Sequence, residues 1–256
     1  MRSSIILLAV LAVITGCGCN KEDGDDTPVA TVISASGDIT AKVDDFRNIL
    51  GSVLNTTPGQ TSGRREINWD AVPDQFATQK LPHDFFNPVA PGSPANLQKG
   101  FIYSPDTDND ARISVNNFSD LEATNATEFS TFSGNKSFSA VSSNLWNVEF
   151  EVAGTRTDAS VKGLGIVFSD VDDANSTTME YFSGDRSLGV YKVPVRSAGS
   201  TFSFLGVYFP DEKVTKVRVR QGNGVVASGV KDISAGGTKD LVIMDDFLYD
   251  EPKALH

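Results

Sequence analysis

Residues 163–193 read GLGIVFSDVDDANSTTMEYFSGDRSLGVYKV. Two or three short apolar segments are joined here by an acidic turn that carries Asp170, Asp172 and Asp173, and the second segment carries Glu180. Apolar runs of this length, bounded by Gly, Asp, Asn and Ser, are strands rather than helices. A later run, DLVIMDDF, repeats the pattern and brings Asp245 and Asp246. The expected fold is all-β: an antiparallel β-sandwich, jelly-roll-like, with a short N-terminal helix.

The flanking sequence agrees. In Leu145–Val152, Val148, Phe150 and Val152 alternate with Asn147, Glu149 and Glu151, the signature of a strand with one buried face. Lys213–Gln221 sets Val217 and Val219 against Lys216, Arg218 and Arg220 in the same way. Further strands are expected at 65–69, 100–104, 111–118, 128–132, 136–141, 201–209 and 241–249, with turn signals every ten or so residues. The Pro- and Asn-rich segment 70–99 reads as a long ordered loop, with Phe85 and Phe86 as a plug for one end of the sandwich. No Gly-rich βαβ unit is present, which argues against a nucleotide fold.

One stretch has helical spacing. Val43, Phe46, Leu50 and Val53 recur at three- and four-residue steps, Asp38 is placed to cap the start, and Thr56-Thr57-Pro58-Gly59 closes the segment. It is expected to pack against the sandwich.

The N-terminus reads as targeting sequence. Arg2 precedes the apolar run Ile5–Ile14, which is too short for a permanent membrane span. Ile14-Thr15-Gly16-Cys17 resembles a bacterial lipobox, making Cys17 the expected lipidation site. Cys19-Asn20-Lys21-Glu22-Asp23 is similar to the acidic sorting tag of surface lipoproteins, which keeps Cys19 open as the modified residue. The resulting map is a lipoprotein signal peptide at 1–16, a flexible acidic tether at 17–37, a helix and linker at 38–62, and the β-sandwich at 63–252. A lipid anchor would place the domain at the cell envelope, on the outer membrane or the cell surface.

Composition narrows the function. The chain has 256 residues and a net charge of -11, so phosphate backbones repel it and nucleic acid is not an expected partner. Both cysteines lie before residue 20, which leaves the folded part without thiol chemistry.

The motifs GRREINWD (63–70), FFN (85–87), GIVFSDVD (165–172), MEYF (179–182), SFLGVYF (203–209), KVRVRQG (216–222) and MDDFLYDEP (244–252), with FRNILG (46–51), together resemble an uncharacterised family of secreted or surface-anchored bacterial proteins. The resemblance implies an exported all-β domain and supplies no catalytic residues. Many relatives use a C-terminal anchor where this chain has a lipoprotein signal.

The acidic turn is the leading candidate site. Calcium takes six to eight oxygens from carboxylates, carbonyls and water. Asp170 and Asp172 can aim carboxylates at one point, and Asp245 or Asp246 would close a structural Ca2+ site if the last strand lies alongside. Strand alternation sends Asp245 and Asp246 to opposite faces, so only one should reach a given ion. Glu180 would be a supporting or simply exposed residue, and a solvated acidic turn is the plain alternative.

The run from Ser104 to Asp110 has a carboxylate at every second position but lacks the Gly and Glu that an EF-hand loop requires. Trp69, Trp146, Tyr103, Tyr181, Tyr191, Tyr208 and Tyr249 could build a glycan platform, although rings in apolar strands belong more often to the core. His83-Asp84 lacks a nucleophile, and Glu149 with Glu151 belongs to one outer sheet face instead of straddling a cleft. The expected function is a surface-anchored, non-catalytic binding module for carbohydrate. The alternative is a structural or adhesive envelope protein acting through protein contacts, and a hydrolase is the least favoured reading.

Overall fold

The computed structural model describes residues 28–105 and 110–255. The signal peptide, Cys17, Cys19 and the carboxylates at 106 and 108 lie outside the described residues. The elements are β1 (Thr31–Ser36), α1 (Thr40–Leu50), β2 (Arg64–Ile67), β3 (Phe101–Pro105), β4 (Ala111–Ser114), α2 (Asn125–Glu128), β5 (Ser137–Ala140), β6 (Leu145–Phe150), β7 (Ala159–Ser160) and β8 (Gly163–Ser169), followed by β9 (Thr178–Ser183), β10 (Arg186–Lys192), β11 (Phe202–Tyr208), β12 (Lys216–Arg220), β13 (Ile243–Asp250) and β14 (Lys253–Ala254).

The fold is an antiparallel β-sandwich. One sheet has seven strands in the order β1-β11-β8-β13-β5-β4, with β2 also paired to β13; the other has five in the order β10-β9-β12-β6-β3. β7 and β14 form a separate short pair. The quoted stretch supplies β8 to the first sheet and β9 and β10 to the second, so it stitches the two layers together.

Alternation explains the core. From the five-stranded sheet, Tyr103, Trp146, Val148, Met179, Tyr181, Val217 and Val219 point inward and meet Ile166, Phe168, Leu205, Val207, Met244 and Phe247 of the other layer. Trp69 stacks on Phe138 at 4.1 Å between ring centroids, and Phe86 meets Trp69 edge-on at 5.6 Å. Phe86 therefore plugs the aromatic end of the core, with Phe85 packed against it.

All seven residues of β8 are buried because its sheet is covered on both faces. The outer cover is α1. Val43, Phe46 and Leu50 pack on Val167, Phe204 and Leu248. The helix is shorter than its spacing suggests: it stops at Leu50, where Gly51 takes φ 139, and Val53 lies exposed beyond it. The expected cap, Asp38, lies one residue before the observed N-cap, Ile39, and its carboxylate accepts the Thr40 amide at 3.2 Å.

Three other segments differ from expectation. Residues 31–36, read as tether, form the edge strand β1 along β11. Its Ser, Ala and Thr give little alternation to read. Residues 128–132, read as a strand, instead comprise the last residue of the single helical turn α2 and the loop that follows it.

β13 carries the third departure. Its register against β8 shifts between Met244↔Phe168 and Phe247↔Ile166, so Asp245 and Asp246 together oppose the single residue Val167. This is a β-bulge, in which one extra residue interrupts the alternation of faces. At the same point β13 changes neighbour, from β5 at Met244 to β2 at Phe247–Asp250.

Candidate functional site

The five-stranded sheet is polar on its outer face. β12 lies between β6 and β9, and the register puts three residues in each cross-strand row. Arg220 lies between Leu145 and Thr178, Arg218 between Asn147 and Glu180, and Lys216 between Glu149 and Phe182. With strand neighbours about 4.8 Å apart and same-face residues about 7 Å apart, the rows make a continuous patch. Arg218 Nε donates to Asn147 Oδ1 at 3.4 Å, and Ser187 Oγ donates to Glu180 Oε1 at 2.9 Å. The Lys216 ammonium sits 4.6 Å from the Phe182 ring centroid and the Arg218 guanidinium 5.8 Å from it, a cation–π arrangement. Leu145, Asn175, Thr178, Glu180, Val190, Arg218 and Arg220 line a groove across this face. Lys192 Nζ donates to Asn175 Oδ1 at 2.7 Å at its rim.

The acidic turn follows β8 directly. Asp170 is buried, at 1% exposure, and has φ 70. Arg196 Nε donates to Asp172 Oδ1 at 2.6 Å and forms an ion pair with Asp170 Oδ1 at 2.7 Å. Burial, and then the charges of Asp232 and Asp172, push the Asp170 carboxyl up to about 8 against the pull of Arg196. Asp240, from the loop before β13, receives the backbone amides of Asp172 at 3.2 Å and Asp173 at 3.0 Å, together with the Ser176 hydroxyl. Asp232 receives the amides of Ser234 at 2.7 Å and Leu241 at 2.6 Å. Burial raises the pKa of both Asp232 and Asp240.

Asp170 and Asp172 thus share a cluster, as the sequence suggested, but Asp245 and Asp246 are not in it. Their place is taken by Asp232, Asp240 and Glu128. Because of the bulge, both Asp245 and Asp246 reach the loop at 132–133. Asp245 Oδ2 accepts the amides of Phe132 and Ser133, and Asp246 Oδ1 accepts the Ser133 hydroxyl. The expectation of opposite faces therefore fails for a physical reason, the extra residue in the strand. Burial, and then the neighbouring Asp246 charge, hold the Asp245 carboxyl up at about 8; burial also raises Asp246. Asp232 and Asp240 sit in KDISAGGTKDL, a Gly-, Ser- and Lys-containing loop whose spacing carries no ligand motif.

The remaining candidates resolve simply. Trp69, Trp146, Tyr103, Tyr181 and Tyr249 are core residues, and Tyr191 and Tyr208 are half-buried. His83 packs edge-on to Tyr103 at 5.8 Å, and Asp84 pairs with Arg156. Glu151 binds Arg156 and the Asn87 amide, apart from the rows that hold Glu149.

Scans of the chain against protein-family models and against curated proteins find no match. Among solved structures, TmCBM61 in complex with β-1,4-galactotriose is similar over 68% of this chain and 97% of its own, with 8% sequence identity and a TM-score of 0.28. A likeness of that degree bears on neither the ligand nor the site of this chain.

Proposed function

We propose that this chain is a non-catalytic carbohydrate-binding β-sandwich, held at the bacterial cell envelope through a lipid on Cys17. The outer face of the five-stranded sheet is its binding face. The observation that carries this reading is the ladder of Arg220, Arg218 and Lys216 flanked in register by Thr178, Glu180, Asn147 and Glu149. A sugar presents a ring of hydroxyls, each both donor and acceptor, around apolar C–H groups. Guanidinium donors alternating with carboxylate and amide acceptors suit such a ligand. The mixed signs of the face favour a neutral polyol over a strongly ionic partner.

The seven-stranded sheet is unsuited to the task, because α1 covers its outer face. Covalent chemistry has little support at the ladder, where Glu180 accepts from Ser187 and Glu149 lies in register with Lys216.

A glycan array probed with the soluble domain tests the proposal. Retention on a restricted set of neutral glycans, without release of reducing sugar, is the expected result. A blank array, combined with co-purification of one stable envelope protein, selects the adhesive alternative and ends the carbohydrate reading.

A further inference from the structure

Two carboxylate groups overlap beside the turn that follows β8. One oxygen each from Glu128, Asp170 and Asp232 lie within 4.8 Å of one another, and so do oxygens of Asp172, Asp232 and Asp240. Asp232 belongs to both groups. Oxygens on opposite sides of a calcium ion, at ligand distances near 2.4 Å, are about 4.8 Å apart. Within each group of three the spacing is therefore that of donors around one ion, and Asp232 joins the two groups.

Crowded carboxylates alone would be an ordinary acidic patch. A second observation distinguishes this one. Asp170 Oδ1 takes Arg196, but its Oδ2 is buried without a hydrogen-bond partner. A buried carboxylate oxygen normally has a donor or a cation, because leaving it bare forfeits its hydration for nothing. The carboxylate that carries this oxygen is the one grouped with Asp232 and Glu128.

We propose that a divalent cation, calcium, binds between Asp170, Asp172, Asp232, Asp240 and Glu128. The donors are all oxygens, which suits a hard cation. Arg196 is paired to two of the five carboxylates and leaves most of their charge for the ion. The other oxygens already accept amides and hydroxyls, which orients them while lone pairs remain for a metal.

The ligands come from three places: α2, the turn after β8, and the loop between β12 and β13. The ion would pin these segments together. It would also order the turn that continues into Asn175 at the rim of the sugar-binding face. The site stands apart from that face, and the cation claim does not depend on the carbohydrate reading.

Calorimetric titration of chelator-stripped protein with calcium chloride, paired with thermal unfolding, tests the proposal. Saturable binding is expected, with a Tm raised by roughly 5–10 °C at a calcium concentration a hundred times Kd. Asp170→Asn and Asp232→Asn should each weaken calcium binding by at least about tenfold, while Asp246→Asn leaves it unchanged. Circular dichroism of each stripped variant checks folding. Should Asp232→Asn misfold, Asp170→Asn decides, since its carboxylate holds a side chain and not a backbone amide. Absence of both binding heat and Tm shift up to about 10 mM calcium, well above the affinities of extracellular calcium modules, overturns the proposal. Unchanged affinity in Asp170→Asn does so equally.

Discussion

Arg65 and Glu251 form a fully buried bidentate pair: Nε and Nη2 each lie 2.7 Å from a Glu251 oxygen, and the two side chains are 0% and 2% exposed. Further hydrogen bonds hold both partners. Arg65 donates to the carbonyls of Gln98 at 3.2 Å and Thr57 at 3.0 Å, and Asn55 Nδ2 donates to Glu251 Oε2 at 2.8 Å. The pair therefore fastens the long loop, the linker after α1 and the end of β13 at one point. Removing one partner strands the other charge in the interior. Arg65→Met or Glu251→Gln should cost about 3–5 kcal/mol, read as a lower urea midpoint at unchanged slope. The double variant Arg65→Met/Glu251→Met should recover part of that loss, and full additivity would contradict the pairing.

Gly165 and Gly206 make room for α1. They face each other across β8 and β11. A Cβ on either would come within 2.7 Å of the Phe46 ring. The helix can lie this close only because both side chains are absent. Gly206→Ala should destabilise the protein by about 1–3 kcal/mol through overpacking. Hydrogen exchange should show the loss concentrated in α1. Unchanged protection of that helix would argue against the tight seat.

The bulge at Asp245 and Asp246 has a pH signature. Asp245 titrates at about 8 in the folded protein, first because it is buried and second because Asp246 is charged beside it. An unfolded aspartate titrates near 3.9. The folded state therefore binds more protons between these values, and stability falls as pH rises from about 4 towards 8. Asp245→Asn removes one negative charge beside Asp246. It should be more stable than the parent at pH 8 by at least about 1 kcal/mol, with the difference shrinking towards pH 4. Denaturant titrations at several pH values check this, and a difference independent of pH would refute the assignment.

The sequence disclosed the wet sheet best. In β6 and β12 one side chain in two is polar, so Trp146 and Val148 could be told from Asn147 and Glu149 without coordinates. β8 was legible as a continuous apolar run because both of its faces are covered. β1 escaped notice since Ser34, Ala35 and Ser36 gain their place from pairing with β11, which no local pattern records. The acidic turn was visible through Asp170 and Asp172. Its partners Asp232 and Asp240 meet it from about sixty residues away through irregular loops, where neither period nor spacing carries information. The strand rule misplaced Asp245 and Asp246 because it counts residues strictly, whereas the bulge adds one.

The proposed glycan seat is the Arg218 row of the five-stranded sheet. Calorimetry with the best ligand from the array, comparing the parent with Arg218→Ala, tests it most directly. Loss of one charge-assisted hydrogen-bonding partner should weaken binding roughly tenfold to a hundredfold, with the thermal midpoint little changed. Equal affinity for the two proteins, each folded, would contradict the account and move the site off this face.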